Sequence, residues 1–208
     1  MGTERLTVQQ VGLNYDIAGE GSVLLLIHGW AGSHLHWRNA PRYLPNYRVV
    51  APDLFDFEDD QEFELEDYSQ LLRSLLARLG VEHCTVVGHS MGGQIAATLA
   101  SESQTPVVGL VLVEAPVSYE LQNVKCPILL VFGERDEQRI AIASVQRRYS
   151  RLADVVFIRR AGHNVMLDQP AAFYKELAEW LWARTAKEEH DTDRILRRYC
   201  NGVSVYRG

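Results

Sequence analysis

Short runs of apolar residues, separated by amphipathic stretches, recur along most of this chain. Uninterrupted apolar runs are typical of strands buried on both faces of a mostly parallel sheet. Such strands are predicted at 23–27, 47–51, 84–87, 107–113, 128–132 and 155–158. A different pattern, alternation over 6–10 and 13–17 around Val11 and Gly12, predicts an antiparallel hairpin ahead of them.

Helical periodicity fills most of the gaps between these runs. Five leucines between residues 71 and 79 share one face of a helix predicted over 68–79, with Asp67 as its N-cap and Gly80 as its end. Further helices are predicted at 33–37, after Ser90, over 138–150 and from Pro170 onward. Strands that alternate with helices predict right-handed crossovers. The fold class is therefore α/β, a doubly wound, mostly parallel sheet with helices on both faces.

The length of 208 residues suits one domain with a well-buried core. We expect a single domain over 1–208 that ends in a charged tail at about 186–208. No apolar run approaches the length of a membrane span. A net charge of −6 argues against nucleic acid as a partner.

Two features of the chain bear on where it works. The first residues lack the apolar core of a signal peptide. Three widely spaced cysteines, Cys84, Cys126 and Cys200, are typical of reduced thiols rather than of a disulfide framework or a metal site. We therefore expect a cytoplasmic protein. No oligomeric state is predicted.

A glycine-flanked serine stands where a predicted strand gives way to a predicted helix, in Gly88-His89-Ser90-Met91-Gly92. In that context G-x-S-x-G indicates a nucleophile elbow, a sharp turn that exposes the serine hydroxyl at the edge of the sheet. The backbone N–H of Met91 then opens a helix whose positive end faces any oxyanion formed there. Ser90 is the first candidate for a catalytic nucleophile.

Serine catalysis needs a base for the hydroxyl proton and an acid that holds the base in the right tautomer. Asp136 follows the strand at 128–132 and His163 follows the strand at 155–158, so both lie at the sheet edge expected for Ser90. Glu114 ends the strand at 107–113 and remains a rival for the role of the acid.

The chain resembles the α/β-hydrolase family in four motifs over about residues 6–185: His28-Gly29-Trp30, Gly88-His89-Ser90-Met91-Gly92, the segment 129–136 and Ala161-Gly162-His163. The resemblance implies that Ser90 is the nucleophile, His163 the base and Asp136 the acid. It also implies that the backbone N–H groups of Trp30 and Met91 form the oxyanion hole. His28 and His89 are expected to be structural neighbours of the site.

The chain departs from the family pattern at two places. Relatives commonly insert a helical cap between the strands at 107–113 and 128–132, but only residues 114–127 are available here. We therefore expect a minimal cap or none, and an open cleft. Eight carboxylates between Asp56 and Asp67 replace a glycine-rich turn, either as a solvated loop or as a rim that repels anionic substrates.

The resemblance implies a serine hydrolase of the carboxylesterase or thioesterase type that acts on a small-molecule acyl ester or thioester. It implies no cofactor and no metal. C–C hydrolases and cofactor-free haloperoxidases share this triad, and a non-catalytic ligand-binding or scaffold protein of the same fold is a further alternative. Dehalogenases and epoxide hydrolases of this fold use an aspartate nucleophile, so the serine at position 90 argues against them.

Overall fold

The computed structural model describes residues 2–8, 11–54, 64–103, 105–117, 119–137 and 139–184. Its centre is an eight-stranded sheet of order β1-β2-β4-β3-β5-β6-β7-β8. The strands are β1 (Gly2–Val8), β2 (Val11–Ala18), β3 (Ser22–Ile27), β4 (Tyr47–Pro52), β5 (Cys84–His89), β6 (Val107–Val113), β7 (Ile128–Gly133) and β8 (Ala153–Ile158). Strand β2 is antiparallel to both of its neighbours, β1 and β4, and all other neighbouring pairs in this sheet are parallel. The predicted mostly parallel sheet is confirmed.

Helices connect the parallel strands. They are α1 (Ala40–Tyr43), α2 (Leu65–Arg78), α3 (Met91–Ser101), α4 (Arg139–Tyr149) and α5 (Val165–Asp168), with 3-10 turns at His34–Trp37 and Tyr119–Gln122. Residues 170–184 are also helical. The helix predicted at 33–37 is the first 3-10 turn, and the Ser33 side chain caps it by accepting a hydrogen bond from the Leu35 N–H at 3.3 Å. The sequence did not predict α5, because four residues are too few for a helical period.

Both faces of the sheet are covered. Leu25 and Ile27 of β3 belong to a core cluster that includes the buried residues of α2 and α3. Their alternates Leu24 and Leu26 point to the other face and are buried as well. This explains why β3 is apolar throughout instead of alternating with polar residues.

The predicted hairpin exists, but the position of its turn was wrong. Val8 pairs with Val11 and Thr7 with Gly12, so Val11 and Gly12 belong to β2, and residues 9 and 10 lie outside the described residues. Gln9 and Gln10 carry none of the glycine or proline signals of a tight turn. The alternation therefore predicted the two strands without locating the turn between them.

Helix α2 starts one turn before its predicted N-terminus. Glu64, and not Asp67, is its N-cap, and the Asp67 carboxylate accepts a hydrogen bond from the Glu64 N–H at 3.0 Å. Asp67 thus completes a capping box from the third helical position. Because acidic side chains are favourable at either place, the sequence pattern did not separate the two roles.

The connection between β6 and β7, where relatives commonly insert a helical cap, is short. Among the described residues between β6 and β7, the Tyr119–Gln122 turn is the only helical segment. Residues 55–63, with most of the acidic run, lie outside the described residues, as does the predicted tail at 186–208. The β6–β7 connection is therefore too short to build a helical cap of the usual kind.

Contacts between Cα atoms divide the chain into two compact units, 1–174 and 175–208. The sheet lies in the first. In the described part of the second, Lys175 pairs with Glu179 at 2.9 Å, and the Arg184 guanidinium lies 4.0 Å from the centre of the Trp180 ring. A single domain over the whole chain stays a prediction. The described helices include none that is both long and apolar enough to cross a bilayer.

Candidate active site

Ser90 occupies a strained turn between β5 and α3. Its backbone has φ 52° and ψ −120°, a left-handed conformation that non-glycine residues rarely adopt. The Ser90 N–H donates to the carbonyl of Val113 at 2.9 Å, which ties the turn to β6. A Cβ at Gly92 would lie only 2.7 Å from the Ile27 carbonyl oxygen, so the turn requires glycine there. This is the backbone geometry that the elbow motif predicts.

The strands that precede the candidate residues end at one edge of the sheet. Four pairings of neighbouring parallel strands set this alignment: Ile27 with Gly88, His89 with Val113, Val113 with Val131 and Gly133 with Ile158. Ser90, Glu114, Asp136 and His163 follow four of these strands in turn. The sheet therefore brings residues that are far apart in sequence to a common edge.

Asp136 and His163 lie in adjacent loops. The Arg135 N–H donates to the Ala161 carbonyl at 2.9 Å and holds the two loops together. Nδ1 of His163 lies 3.9 Å from Oδ2 of Asp136. That separation allows an ion pair but exceeds a hydrogen bond, and catalytic hydrogen bonds are often long when no substrate is bound. The His163 side chain is 52% exposed, so solvent can reach it.

Glu114 is a buried member of the same group. Its carboxyl Oε1 accepts a hydrogen bond from the Gly133 N–H, and burial, with a smaller contribution from Asp136, raises the pKa of Glu114 to about 8. One oxygen or nitrogen from each of Glu114, Asp136 and His163 lies within 4.8 Å of the others. In the described part of the chain this trio alone has the spacing of a shared metal ion, and we assign it no metal role.

The His89 side chain forms a hydrogen bond with the loop that carries His163. Its Nε2 lies 2.9 Å from the His163 carbonyl oxygen, which can only accept, so Nε2 carries the proton. The two rings are 4.9 Å apart between centroids. Burial lowers the pKa of His89 to about 4, so the ring is neutral at physiological pH. Its contacts are those of a structural neighbour of the site.

The loop after β3 passes directly beside Ser90. A Cβ at Gly29 would lie 3.0 Å from the Cβ of Ser90, and Trp30 follows at once with a side chain that is 71% exposed. Inside the loop, His28 accepts from the Leu54 N–H at 2.9 Å through Nε2 and donates through Nδ1 to the Gly29 carbonyl at 2.8 Å. Gly29, next to Trp30 in the chain, is thus close to Ser90, and Met91, the first residue of α3, follows Ser90 directly.

Sequence reasoning missed one link in this region. Asp53 accepts hydrogen bonds from the His34 N–H at 2.7 Å and from the His34 ring at 2.8 Å. The bonds join the end of β4 to the turn after β3. The available signal was the position of Asp53 directly after a predicted strand, but its partner lies in a loop that has no pattern of its own.

Comparison with known proteins identifies the family. The sequence model of the alpha/beta hydrolase fold family matches residues 22–187. The soluble epoxide hydrolase of Corynebacterium sp. (strain C12) is 32% identical over 107 residues, which are 49% of this chain and 37% of that protein. The chain spans about a third of the length of the curated relatives that it matches in this way.

Two solved structures show the same fold. A membrane phospholipase A, described as a bacterial virulence factor, superimposes with a TM-score of 0.81 at 19% identity, over 88% of this chain and 86% of its own. The thioesterase domain from the curacin biosynthetic pathway superimposes with a TM-score of 0.78 at 20% identity, over 86% of this chain and 99% of its own. With the family match over residues 22–187, the chain belongs to the alpha/beta hydrolase fold family.

Proposed function

We propose that this chain is a serine hydrolase that cleaves a carboxylic ester or thioester through an acyl-enzyme. Ser90 is the nucleophile, His163 the base and Asp136 the acid, and the backbone N–H groups of Trp30 and Met91 form the oxyanion hole. The observation that carries the proposal is the strained Ser90 turn at the sheet edge that also presents the Asp136–His163 pair, 3.9 Å apart.

The reaction follows from these roles. His163 takes the proton from the Ser90 hydroxyl as its oxygen bonds to the carbonyl carbon, and the N–H groups of Trp30 and Met91 stabilise the negative oxygen. Asp136 stabilises the imidazolium. His163 then gives its proton to the departing alcohol or thiol as the C–O or C–S bond breaks. In the second half, His163 deprotonates water, which attacks the acyl group, releases the acid and restores Ser90.

Epoxide opening is the second candidate, because a relative at 32% identity carries the name soluble epoxide hydrolase. Family members that open epoxides use an aspartate nucleophile, whereas this chain has Ser90 at the elbow. A serine attacking an epoxide would leave an ether that water does not hydrolyse, so the serine favours acyl transfer.

A fluorophosphonate probe tests the nucleophile. The probe should label the wild-type chain and fail to label Ser90→Ala, because only an activated serine reacts with it. Ser74→Ala provides a matched control, since Ser74 lies on α2 and bonds to the Gln70 carbonyl. Equal labelling of the wild type and Ser90→Ala would contradict the assignment, and no labelling of the wild type would favour the non-catalytic alternative.

A substrate screen tests the reaction class. p-Nitrophenyl esters of increasing chain length, acyl thioesters and a styrene-type epoxide cover the two candidates. We expect turnover of esters or thioesters that depends on Ser90. Turnover of the epoxide alone would contradict the proposal and make this chain an unusual epoxide hydrolase.

A further inference from the structure

Glu114 is the most deeply buried carboxyl group near the sheet edge. Its side chain is 2% exposed, and its backbone has φ 49°, a left-handed value that it shares with Ser90 on the neighbouring strand. Strained backbone at a non-glycine residue persists only where the surroundings hold it, and such residues collect at functional sites. The proposed triad leaves Glu114 without a role.

The hydrogen bonds of Glu114 are unusual for an ionised carboxylate. Oε1 accepts from the Gly133 N–H. Oε2 is buried, and within the described residues no N–H or O–H group donates to it. The side chain that lies close to it is instead that of Asp136, another carboxyl, with one oxygen of each residue within 4.8 Å of the other. Two ionised carboxylates can only accept, so a hydrogen bond between them requires a proton on one of the pair.

The charges that face Glu114 decide which carboxyl carries that proton. Burial and the carboxylate of Asp136 favour the neutral form of Glu114, whereas the Gly133 N–H and the Arg139 guanidinium of α4 oppose it more weakly. His163, from the loop after β8, completes the group. The balance holds the pKa of Glu114 at about 8, so the group is protonated at neutral pH. Asp136 is more accessible, at 19% exposure, and its Oδ2 lies 3.9 Å from Nδ1 of His163.

We propose that Glu114 is a positioning residue, which donates a hydrogen bond from its protonated carboxyl to Asp136 and so orients the carboxylate toward His163. The inference rests on the proposed function to the extent that Asp136 is the triad acid. Two bonds hold Glu114 for this task, one accepted from the Gly133 N–H and one donated to Asp136. A neutral carboxyl cannot itself stabilise the imidazolium, so the role differs from that of a second triad acid.

The test compares two replacements of Glu114. Glu114→Gln keeps a donor for Asp136 and an acceptor for Gly133, whereas Glu114→Leu has a similar size and neither. In the wild type, kcat/KM should fall about tenfold per pH unit above pH 8, where Glu114 ionises and its hydrogen bond to Asp136 is lost. The Gln variant should stay within about tenfold of the wild type at pH 7 and lose this alkaline fall, while the Leu variant should lose about a hundredfold.

Two outcomes would overturn the proposal. If Glu114→Gln costs as much as Asp136→Asn, Glu114 is the ionised acid of the triad. If the Gln variant keeps the alkaline fall, Glu114 does not titrate in the way proposed. Circular dichroism checks the fold of the Leu variant, and the Gln variant keeps the test decisive if the Leu variant does not fold.

A second measurement does not depend on turnover. Glu114 has a raised pKa in the folded chain, about 8 against 4.5, so the folded state keeps a proton that the unfolded state releases between these values. Wild-type Tm should therefore fall relative to that of Glu114→Gln as the pH rises from 5 to 8. This pattern without ester turnover would overturn the proposed function yet support a buried Glu114 that is protonated at neutral pH, as the proposed bond to Asp136 requires. A constant Tm difference would overturn the bond, whatever the turnover.

Discussion

At the scale of single residues, burial determines the protonation of the histidines around Ser90. His28 is buried with its proton on Nδ1, and His89 is buried with its proton on Nε2. Burial lowers the pKa of both rings. A second proton on His28 would break the hydrogen bond that its Nε2 accepts from the Leu54 N–H. A second proton on His89 would leave a charged ring in the interior with no partner for Nδ1 among the described residues. These histidines support the site and take no part in the proposed proton transfer.

The first prediction concerns His89 and acid stability. The ring has a pKa of about 4 when folded against 6.5 when unfolded, so the unfolded chain binds the extra proton between these values. The free energy of unfolding should therefore fall as the pH drops from 6.5 to 4, by about 3 kcal/mol from this group. His89→Gln replaces the ring with a polar side chain that does not titrate. In this variant the fall in the free energy of unfolding between pH 6.5 and pH 4 should be smaller by about 3 kcal/mol.

Urea unfolding at pH 7 and pH 4 measures the effect. His83→Gln is the control, because His83 lies on the exposed turn before β5. The same pH dependence in His89→Gln and in the wild type would show that His89 does not titrate as a buried base.

At the scale of elements, the parallel strands do most to assemble the site. Each strand from β5 to β8 ends within hydrogen-bonding register of its neighbour, and the residue or loop that follows carries a member of the site. Helix α3 packs on β5 and β6 and begins directly after Ser90. The start of α2 is stabilised locally, by its own capping box.

The second prediction concerns that capping box. Asp67→Ala removes the acceptor of the Glu64 N–H and should lower the free energy of unfolding by about 1 kcal/mol. Glu66→Ala is the matched control, since Glu66 is exposed in the same helical turn and takes no part in the capping box, so it should cost only a few tenths of a kcal/mol through the helix dipole. Chemical denaturation measures the free energy of unfolding of both variants. Equal decreases in Asp67→Ala and Glu66→Ala would show that charge alone, and not the capping box, stabilises this helix terminus.

At the scale of the whole molecule, charge is unevenly distributed along the chain. The net charge is −6, and eight carboxylates lie between Asp56 and Asp67, just after the strand that ends beside the β3 loop. Such a concentration of charge repels anions over a Debye length of about 8 Å at physiological ionic strength. If the run borders the cleft, it acts on substrate choice, and if it is only a solvated loop, it does not.

The third prediction separates these two hypotheses. Neutral esters should be preferred over anionic esters of the same size at low salt, and high salt should reduce the preference. Asp59→Asn with Asp60→Asn should reduce it as well. The control pair, Glu20→Gln with Glu82→Gln, precedes β3 and β5 at the opposite ends of the strands and should leave it unchanged. If the ratio of kcat/KM for neutral over anionic esters is the same in both double variants, the acidic run does not act on substrate choice.

Local patterns were sufficient for much of the fold. The bounds of β6 match the apolar run at 107–113, and β3 exceeds its run by one residue, because a strand buried on both faces leaves an uninterrupted apolar signal. The turn at Ser90 was predictable too, since the glycines at 88 and 92, between an apolar strand and a helix, leave the room that the sharp turn needs. Helix α5 was not predictable, because its four residues carry no periodic signal.

The sequence by itself determined the order of the strands and helices, the elbow at Ser90 and the strand-end positions of Asp136 and His163, because each depends on neighbours within a few residues. Only the tertiary structure decided that Glu114 lies within 4.8 Å of Asp136 and that the His89 ring donates to the His163 carbonyl. These pairs are separated along the chain by entire strands and helices. Their contact depends on the register of adjacent parallel strands and on the depth of burial, and no local pattern encodes either.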